Sequence, residues 1–313
     1  MQAITVNRLG GPEVLQAGEA ELPIPGRGEI LIRVLAAGVG PWDVRLRSGA
    51  WRGQLPYIPG AEFAGLVVGD TGADAGLEDG APVYGYPGLA GCYAPFVTCQ
   101  AERLAPIPAG LSVTDAAAVP VDALTANQGL TDILAVSAGD EVLITGAAGG
   151  LGHFAVQIAH VLGAAIVATG HARDHEFLHK LGAAAVVDHT APGWPDRVRE
   201  ITGGGADRVL ACTGASLAGA ATAARDGATV AAPVRRELPG ADRVRWRPYH
   251  GQPSGSRLIR MAPWFDDGAL SVHVAARYYW QEAESAHRLL ERGHTRGEVT
   301  LVVDEDLAAT LEL

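Results

Sequence analysis

Apolar residues follow two rhythms along this chain. Up to about residue 120 they come in short runs: "EILIRVLAAGV" (29–39), "FAGLVVGD" (63–70), "APVYGY" (81–86) and "YAPFVTC" (93–99). Gly and Pro clusters separate them, which predicts short strands closing a small β-barrel. After "LSVTDAAAVPVDALTANQGL" (111–130) the rhythm changes to apolar runs that alternate with helical patterns. Unalternating apolar strands are predicted at 141–145, 165–169, 184–188 and 208–212, with helices at 151–163, 174–182, 194–202 and 216–224. "ATVAAPV" (228–234) and "RVRWRPY" (243–249) follow as strands. Such repeated units predict an α/β domain with a parallel sheet covered on both faces. The last stretch, "WQEAESAHRLLERGHTRGEVTLVVDE" (280–305), reads as a helix and then a strand that can return to the first domain.

Between the first of these strands and its helix stands "ITGAAGGLGHFAVQIA" (144–159). Its glycines recur as Gly146-x-x-Gly149-x-x-Gly152, with Gly150 inside. In a strand–loop–helix context the first glycine permits the turn and the second lets a pyrophosphate touch the backbone. The last lets helix and sheet pack closely, while the helix N-terminus offers bare N–H groups, here from Leu151 onward. The expectation is a dinucleotide site. Its second strand ends "Thr169-Gly170-His171-Ala172-Arg173", with no carboxylate before Asp174 to take a ribose 2′-hydroxyl. Arg173 can fork onto a 2′-phosphate and His171 can donate to it, so the expected cofactor is NADPH. Arg173 could instead pair with Asp174 or Glu176. Gly170 and Thr213, at the ends of the second and fourth strands, complete the expected cofactor set.

Composition narrows the chemistry. The 313 residues carry a formal net charge of −11 and 48% hydrophobic residues. An acidic chain lacks the basic stripe that nucleic acid needs, and no apolar run approaches a membrane span. Lys180 is the only lysine, which removes P-loop and Tyr-x-x-x-Lys chemistry. Cys92, Cys99 and Cys212 are scattered, with no CxxC pair, so neither a disulfide framework nor a cysteine-rich zinc site is expected. The N-terminus shows no signal-peptide core, and the expected compartment is the cytoplasm.

"VLITGAAGGLGHFAVQIAHVLGA" resembles the cofactor loop of the medium-chain dehydrogenase/reductase superfamily, in its zinc-independent quinone oxidoreductase branch. "GPEVLQAGEAELPIPGRGEILIRVLAAGVGPWDVRLRSG", "LPYIPGAEFAGLVV", "AAAVPVDALTANQGL" and "EAESAHRLLERGHTRGEVTLVV" resemble that family's other segments in the same order. The match is poorest around 234–262. The resemblance implies a GroES-like β-barrel domain (1–122 and 266–313) and a Rossmann NADP-binding domain (123–265), with the active site in the cleft between them. It also implies that His189 holds a position where relatives often carry a tyrosine beside the adenosine. Thr125 in "ALTA" resembles the threonine near the nicotinamide ribose, although a buried helix-start threonine reads equally well. Family members commonly form homodimers through the last strand of the cofactor domain, here 243–249.

Zinc-dependent relatives carry a cysteine where this chain has Gly40 and a histidine where it has Ala61, leaving only Glu62 as a ligand. No metal is expected. Most zinc-independent relatives carry asparagine at the Gly40 position, beside the nicotinamide. Arg45, where relatives often have Tyr or Lys facing the cleft, could stabilise an acceptor oxygen, or could be a surface arginine pairing with Asp43. Tyr57, Tyr86 and Tyr93 could line the pocket, with Tyr57 taken into the catalytic set. The function these readings imply is NADPH-dependent hydride transfer to a small molecule, a quinone or an α,β-unsaturated carbonyl. A biosynthetic enoyl reductase on a carrier-bound acyl intermediate and a non-enzymatic NADPH-binding sensor or structural protein are the alternatives.

Overall fold

The computed structural model describes residues 1–69, 76–234, 237–238 and 241–311. Asp70, which ends one expected strand, lies outside them, as do four residues of the poorly matching 234–262 stretch and the last two of the chain. By its internal packing the chain divides into Met1–Val121 with Pro253–Leu313, and Asp122–Gln252.

The first unit begins with a two-stranded antiparallel ladder, β1 (Gln2–Val6) and β2 (Leu15–Glu19). Then come β3 (Glu29–Gly38), helix α1 (Pro41–Arg47), β4 (Phe63–Val67), β5 (Pro82–Gly85), β6 (Phe96–Gln100) and β7 (Leu104–Pro106). The four-residue α2 (Val113–Ala116), capped by the Ser112 hydroxyl, leads to α3 (Pro120–Gln128). The 121/122 division falls inside α3.

The elements of the second unit are β8 (Glu141–Thr145), α4 (Gly150–Val161), β9 (Ala165–Gly170), α5 (His175–Lys180), β10 (Ala185–Asp188), α6 (Trp194–Ile201), β11 (Ala206–Ala211), α7 (Leu217–Ala223), β12 (Ala224–Ala232) and β13 (Arg245–Pro248). From β8 to β12 strand and helix alternate, and β13 then follows β12 with no α-helix between them among the described residues. All six strands run parallel in the order β10-β9-β8-β11-β12-β13. Numbered within the unit this is 3-2-1-4-5-6, the doubly wound arrangement whose ligand crevice opens where the order reverses, between β8 and β11. Val142, Leu143, Ile144, Val209 and Leu210 are all fully buried, as strands covered on both faces must be.

The chain then returns to the first unit through α8 (Gly255–Asp266), β14 (Val274–Tyr279), α9 (Ala283–Arg292), β15 (Glu298–Val302) and α10 (Glu305–Leu311). β15 pairs antiparallel with β3, so the C-terminal strand completes the N-terminal sheet, whose order is β14-β15-β3-β4-β5-β7 with β6 also on β3. Ala283, Ala286, Val299 and Leu301 enter the same core as Ile30, Ile32 and Phe63. The boundary near 265 expected from the sequence differs from the packing by one helix. α8 belongs with the barrel, because Gly255 lies against the Leu104 carbonyl and the Gly110 N–H donates to Asp266 at 3.0 Å.

Candidate cofactor and substrate sites

In the second unit the glycine loop connects β8 to α4. Gly146 has φ +68°, and a Cβ there would stand 2.8 Å from Thr213 Cγ2, so the turn admits only glycine. A Cβ on Gly152 would strike the Gly146 carbonyl and lie 2.6 Å from Ala147 Cα, which is the close helix–loop approach. Gly149 is the N-cap of α4, and a Cβ there would meet the Gly146 carbonyl at an ordinary 3.6 Å. It offers no side chain to the N–H groups of Gly150, Leu151 and Gly152, so the twelve-residue helix presents bare donors at its positive end. The buried His153 holds the loop from below: Nδ1 lies 2.5 Å from the Gly150 carbonyl and 3.3 Å from that of Gly149. Carbonyls only accept, so Nδ1 carries the proton.

Thr213 stands on the other lip of the crevice. Its hydroxyl donates to Ser216 Oγ at 3.0 Å, and Ser216 Oγ lies 2.7 Å from Thr145 Oγ1, tying the end of β8 to the turn after β11. This set fits a pyrophosphate: glycines where a backbone must approach, bare helix donors, and hydroxyls on the facing turn.

At the end of β9, Gly170 packs against Leu178, and His171 begins a short 3-10 turn that carries the exposed Arg173. The His171 and His189 rings meet edge-on with centroids 4.5 Å apart. His189 Nδ1 is buried with no hydrogen-bond partner among the described residues. Asp174 is buried. The exposed surface at this strand end therefore presents cationic and imidazole groups. Thr125 is buried on α3 beneath Gly251 and accepts the Tyr249 hydroxyl on its carbonyl at 3.0 Å.

In the first unit, α1 carries the expected substrate residues. Its N-cap Gly40 has extended backbone, and the Trp42 indole fills the space where a Cβ on Gly40 would stand. Ala61 is fully buried, and no group of three His, Cys, Asp or Glu side chains among the described residues is placed to hold a metal. Arg45 is half-buried, with its guanidinium over the Trp51 ring at 5.3 Å. Tyr57 pairs with Val6 through its backbone, while its hydroxyl is buried without a partner among the described residues. Burial pushes that phenol up to about 12, so it stays a neutral donor. Tyr86 is buried, and burial likewise pushes its phenol up to about 12.

Asp43 has a different task from pairing at the surface. Fully buried, it accepts the Gly40 N–H at 2.9 Å and the Gly60 N–H at 3.0 Å. The Tyr93 hydroxyl also supports its charge, and the Trp42 N–H lies near it without a well-formed hydrogen bond. Burial outweighs these donors and pushes Asp43 up to about 7. Tyr93 is also 3.3 Å from Nε2 of the buried His287, which burial and then Arg47 hold down to about 3. If Tyr93 gives its one proton to Asp43, His287 must donate from Nε2, leaving its partnerless Nδ1 bare. The fully buried Arg47 donates to the Gly10 carbonyl and pairs with Glu291. Glu62 Oε2 accepts the Val121 N–H at 2.7 Å at the start of α3. Apart from the Gly40–Asp43 bond within one turn, these pairings were not legible in the sequence, because they join residues far apart in it.

Residues 26–109 match the family model "Alcohol dehydrogenase GroES-like domain", and residues 181–301 match "Zinc-binding dehydrogenase". The chain is 32% identical to the quinone oxidoreductase of Mus musculus over 207 residues, which is 65% of this chain and 62% of that protein. It is 31% identical to a mycocerosic acid synthase-like polyketide synthase of Mycolicibacterium smegmatis, across 96% of this chain and 15% of the synthase. The structure of the mycobacterial protein Rv1454c complexed with NADPH superposes at a TM-score of 0.85. It is 32% identical, over 97% of this chain and 100% of that one.

Proposed function

The chain belongs to the medium-chain dehydrogenase/reductase superfamily, in its quinone oxidoreductase branch, and from that premise we propose an NADPH-dependent reductase of quinones or α,β-unsaturated carbonyls. The observation that carries this reading is the Gly146–Gly152 loop under the bare N-terminus of α4, one strand away from an end that presents Arg173 instead of a carboxylate. Residues 122–252 do the cofactor work in this reading, and the remainder serves the substrate.

Reduced nicotinamide, when bound, supplies a hydride. The chain's own residues supply position and charge. The amides of Gly150, Leu151 and Gly152 face the pyrophosphate, with Thr213 on the facing turn, while Arg173 and His171 receive the 2′-phosphate beside His189. Thr125 supports the nicotinamide end through the Gly251 backbone. Arg45 is the cation that meets negative charge developing on the acceptor oxygen, with the Tyr57 hydroxyl as a second donor. Gly40 and Ala61 hold no ligand atoms at the two positions where zinc relatives bind metal, so an acceptor that is already electrophilic suits this chain better than an alcohol. The three cysteines are free, in keeping with a reducing cytoplasm.

Stopped-flow mixing of NADPH-loaded protein with quinones and enones tests the reading: oxidation of bound NADPH by a panel member is expected, and none by any member would defeat it. A second reading, an enoyl reductase on a carrier-bound acyl chain, draws support from the polyketide synthase match across 96% of the chain. Turnover of an enoyl thioester far above that of free enones would favour it.

A further inference from the structure

A doubly wound sheet binds its dinucleotide with one nucleotide over each half. With the adenosine 2′-phosphate at the end of β9, the reacting end belongs over the carboxyl ends of β11, β12 and β13. Among the described residues that directly follow those strands (212–214, 233–234 and 249–252), three side chains titrate: Cys212, Tyr249 and His250. Burial raises the Cys212 thiol and the Tyr249 phenol far above neutrality, and the phenol hydroxyl is already committed to the Thr125 carbonyl. His250 is exposed, and imidazole is the side chain most often used to hand a proton to a reacting group.

His250 is also held in place from both sides. Tyr249 is fixed through its hydroxyl to Thr125 and through its N–H to the Ala232 carbonyl at 3.1 Å. Beyond it, the Gln128 side chain accepts the Gln252 N–H and donates to the Gln252 carbonyl, both at 2.8 Å. Between these anchors Gly251 rests on Thr125, where a Cβ would strike the hydroxyl. The backbone on each side of His250 is thus fastened to α3, and the exposed His250 stands between the two anchors. The neighbouring titratable groups are Cys212, Tyr249 and Asp122, whose charge reaches both.

We propose that His250 is the proton donor of the reaction, an inference that rests on the reductase reading. With an enone, the hydride forms a C–H bond at the β-carbon and the C=C electron pair moves to the α-carbon. The His250 N–H bond then breaks, its proton closes the α-carbon C–H bond, and one proton taken up from bulk solvent restores the imidazolium. The electrons come from the reduced nicotinamide, so the saturated ketone forms with no further reductant.

The test uses His250→Gln and His250→Phe, with NADPH titration of each showing that the cofactor unit is intact. With the acceptor that the native chain reduces fastest, both variants should lose about 100-fold or more in kcat while NADPH affinity holds. The alkaline fall in the native kcat profile should vanish, and imidazole in the buffer should restore part of the rate. Native kcat and pH profile in both variants would overturn the assignment while leaving the reductase reading intact. If the native chain reduces no panel member, the reductase reading fails and His250 falls with it.

Discussion

The indole of Trp42 stands in the space that a side chain on Gly40 would fill. The two positions therefore behave as one unit: an asparagine at residue 40, as in most zinc-independent relatives, cannot coexist with this tryptophan. Gly40→Asn alone should destabilise the barrel unit by about 1–3 kcal/mol through overpacking. Trp42→Ala should cost about 3 kcal/mol through the void it leaves. Gly40→Asn with Trp42→Ala should be more stable than the two single changes predict when added. Denaturant midpoints measure all three, and strict additivity would show that the positions do not compete.

The buried Asp43–Tyr93–His287 chain has a consequence for stability against pH. Asp43 is raised from its ordinary 3.8 to about 7, so its contribution is full below 3.8 and is lost as pH rises through about 7. His287 is lowered from 6.5 to about 3, so its contribution is full above 6.5 and is lost as pH falls through about 3. Between 3.8 and 6.5 the two slopes oppose, each about 1.4 kcal/mol per pH unit, and nearly cancel. His287→Gln should expose the Asp43 slope, with stability falling as pH rises across that window. Asp43→Asn should expose the opposite slope. Urea unfolding at several pH values reads both, and unchanged slopes would refute the coupling.

Where burial repeats locally, the fold is legible in the sequence. The apolar runs at 141–145, 165–169 and 184–188 fall within a residue of β8, β9 and β10, and β8 and β9 are buried beyond their first residues. The start of β12 at Ala224 was not legible, since it is set by pairing with Ala206, a residue in another strand. The glycine loop could be read because each glycine answers a local steric need. Asp43 against Gly60, Tyr93 against His287, and Gln128 against Gln252 could not, because contacts between distant residues leave no period in the chain. His250 lies in the stretch that matches the family least, and only the anchors at Thr125 and Gln128 make its position meaningful.

Arg173 is the exposed cation at the end of β9, and a 2′-phosphate is what distinguishes NADPH from NADH. Arg173→Ser should weaken NADPH binding about tenfold, equivalent to about 1.4 kcal/mol, and leave NADH unchanged. Fluorescence titration with both cofactors decides it. Equal native affinity for the two would remove NADPH from the assignment.

β13 is the last strand of its sheet, with Arg245 and Arg247 exposed and one edge unpaired among the described residues. Soluble proteins cover or pair such an edge, and a second copy of this chain is the expected cover. Sedimentation should give a dimer, and Trp246→Pro should weaken it by removing a backbone donor from the strand. A native monomer at micromolar concentration would count against pairing there.

Arg45 tests the substrate side of the proposal. Its guanidinium lies over Trp51, a placement that leaves the planar fork ordered. If that fork meets the acceptor oxygen, it matters most when the oxygen gains charge, so removing it should slow turnover more than it weakens substrate binding. Arg45→Ala should slow the hydride step by about 10–1000-fold, the scale of losing one oxyanion donor. NADPH affinity should hold, because the phosphate donors proposed above are the amides of Gly150–Gly152 and Arg173. Arg45→Lys should recover only part of the rate, since an ammonium keeps the charge without the fork. Trp51→Leu should fall between native and Arg45→Ala, because it leaves the cation present but no longer stacked. A native single-turnover rate in Arg45→Ala would make Arg45 a surface arginine and leave the acceptor oxygen to Tyr57 and backbone donors.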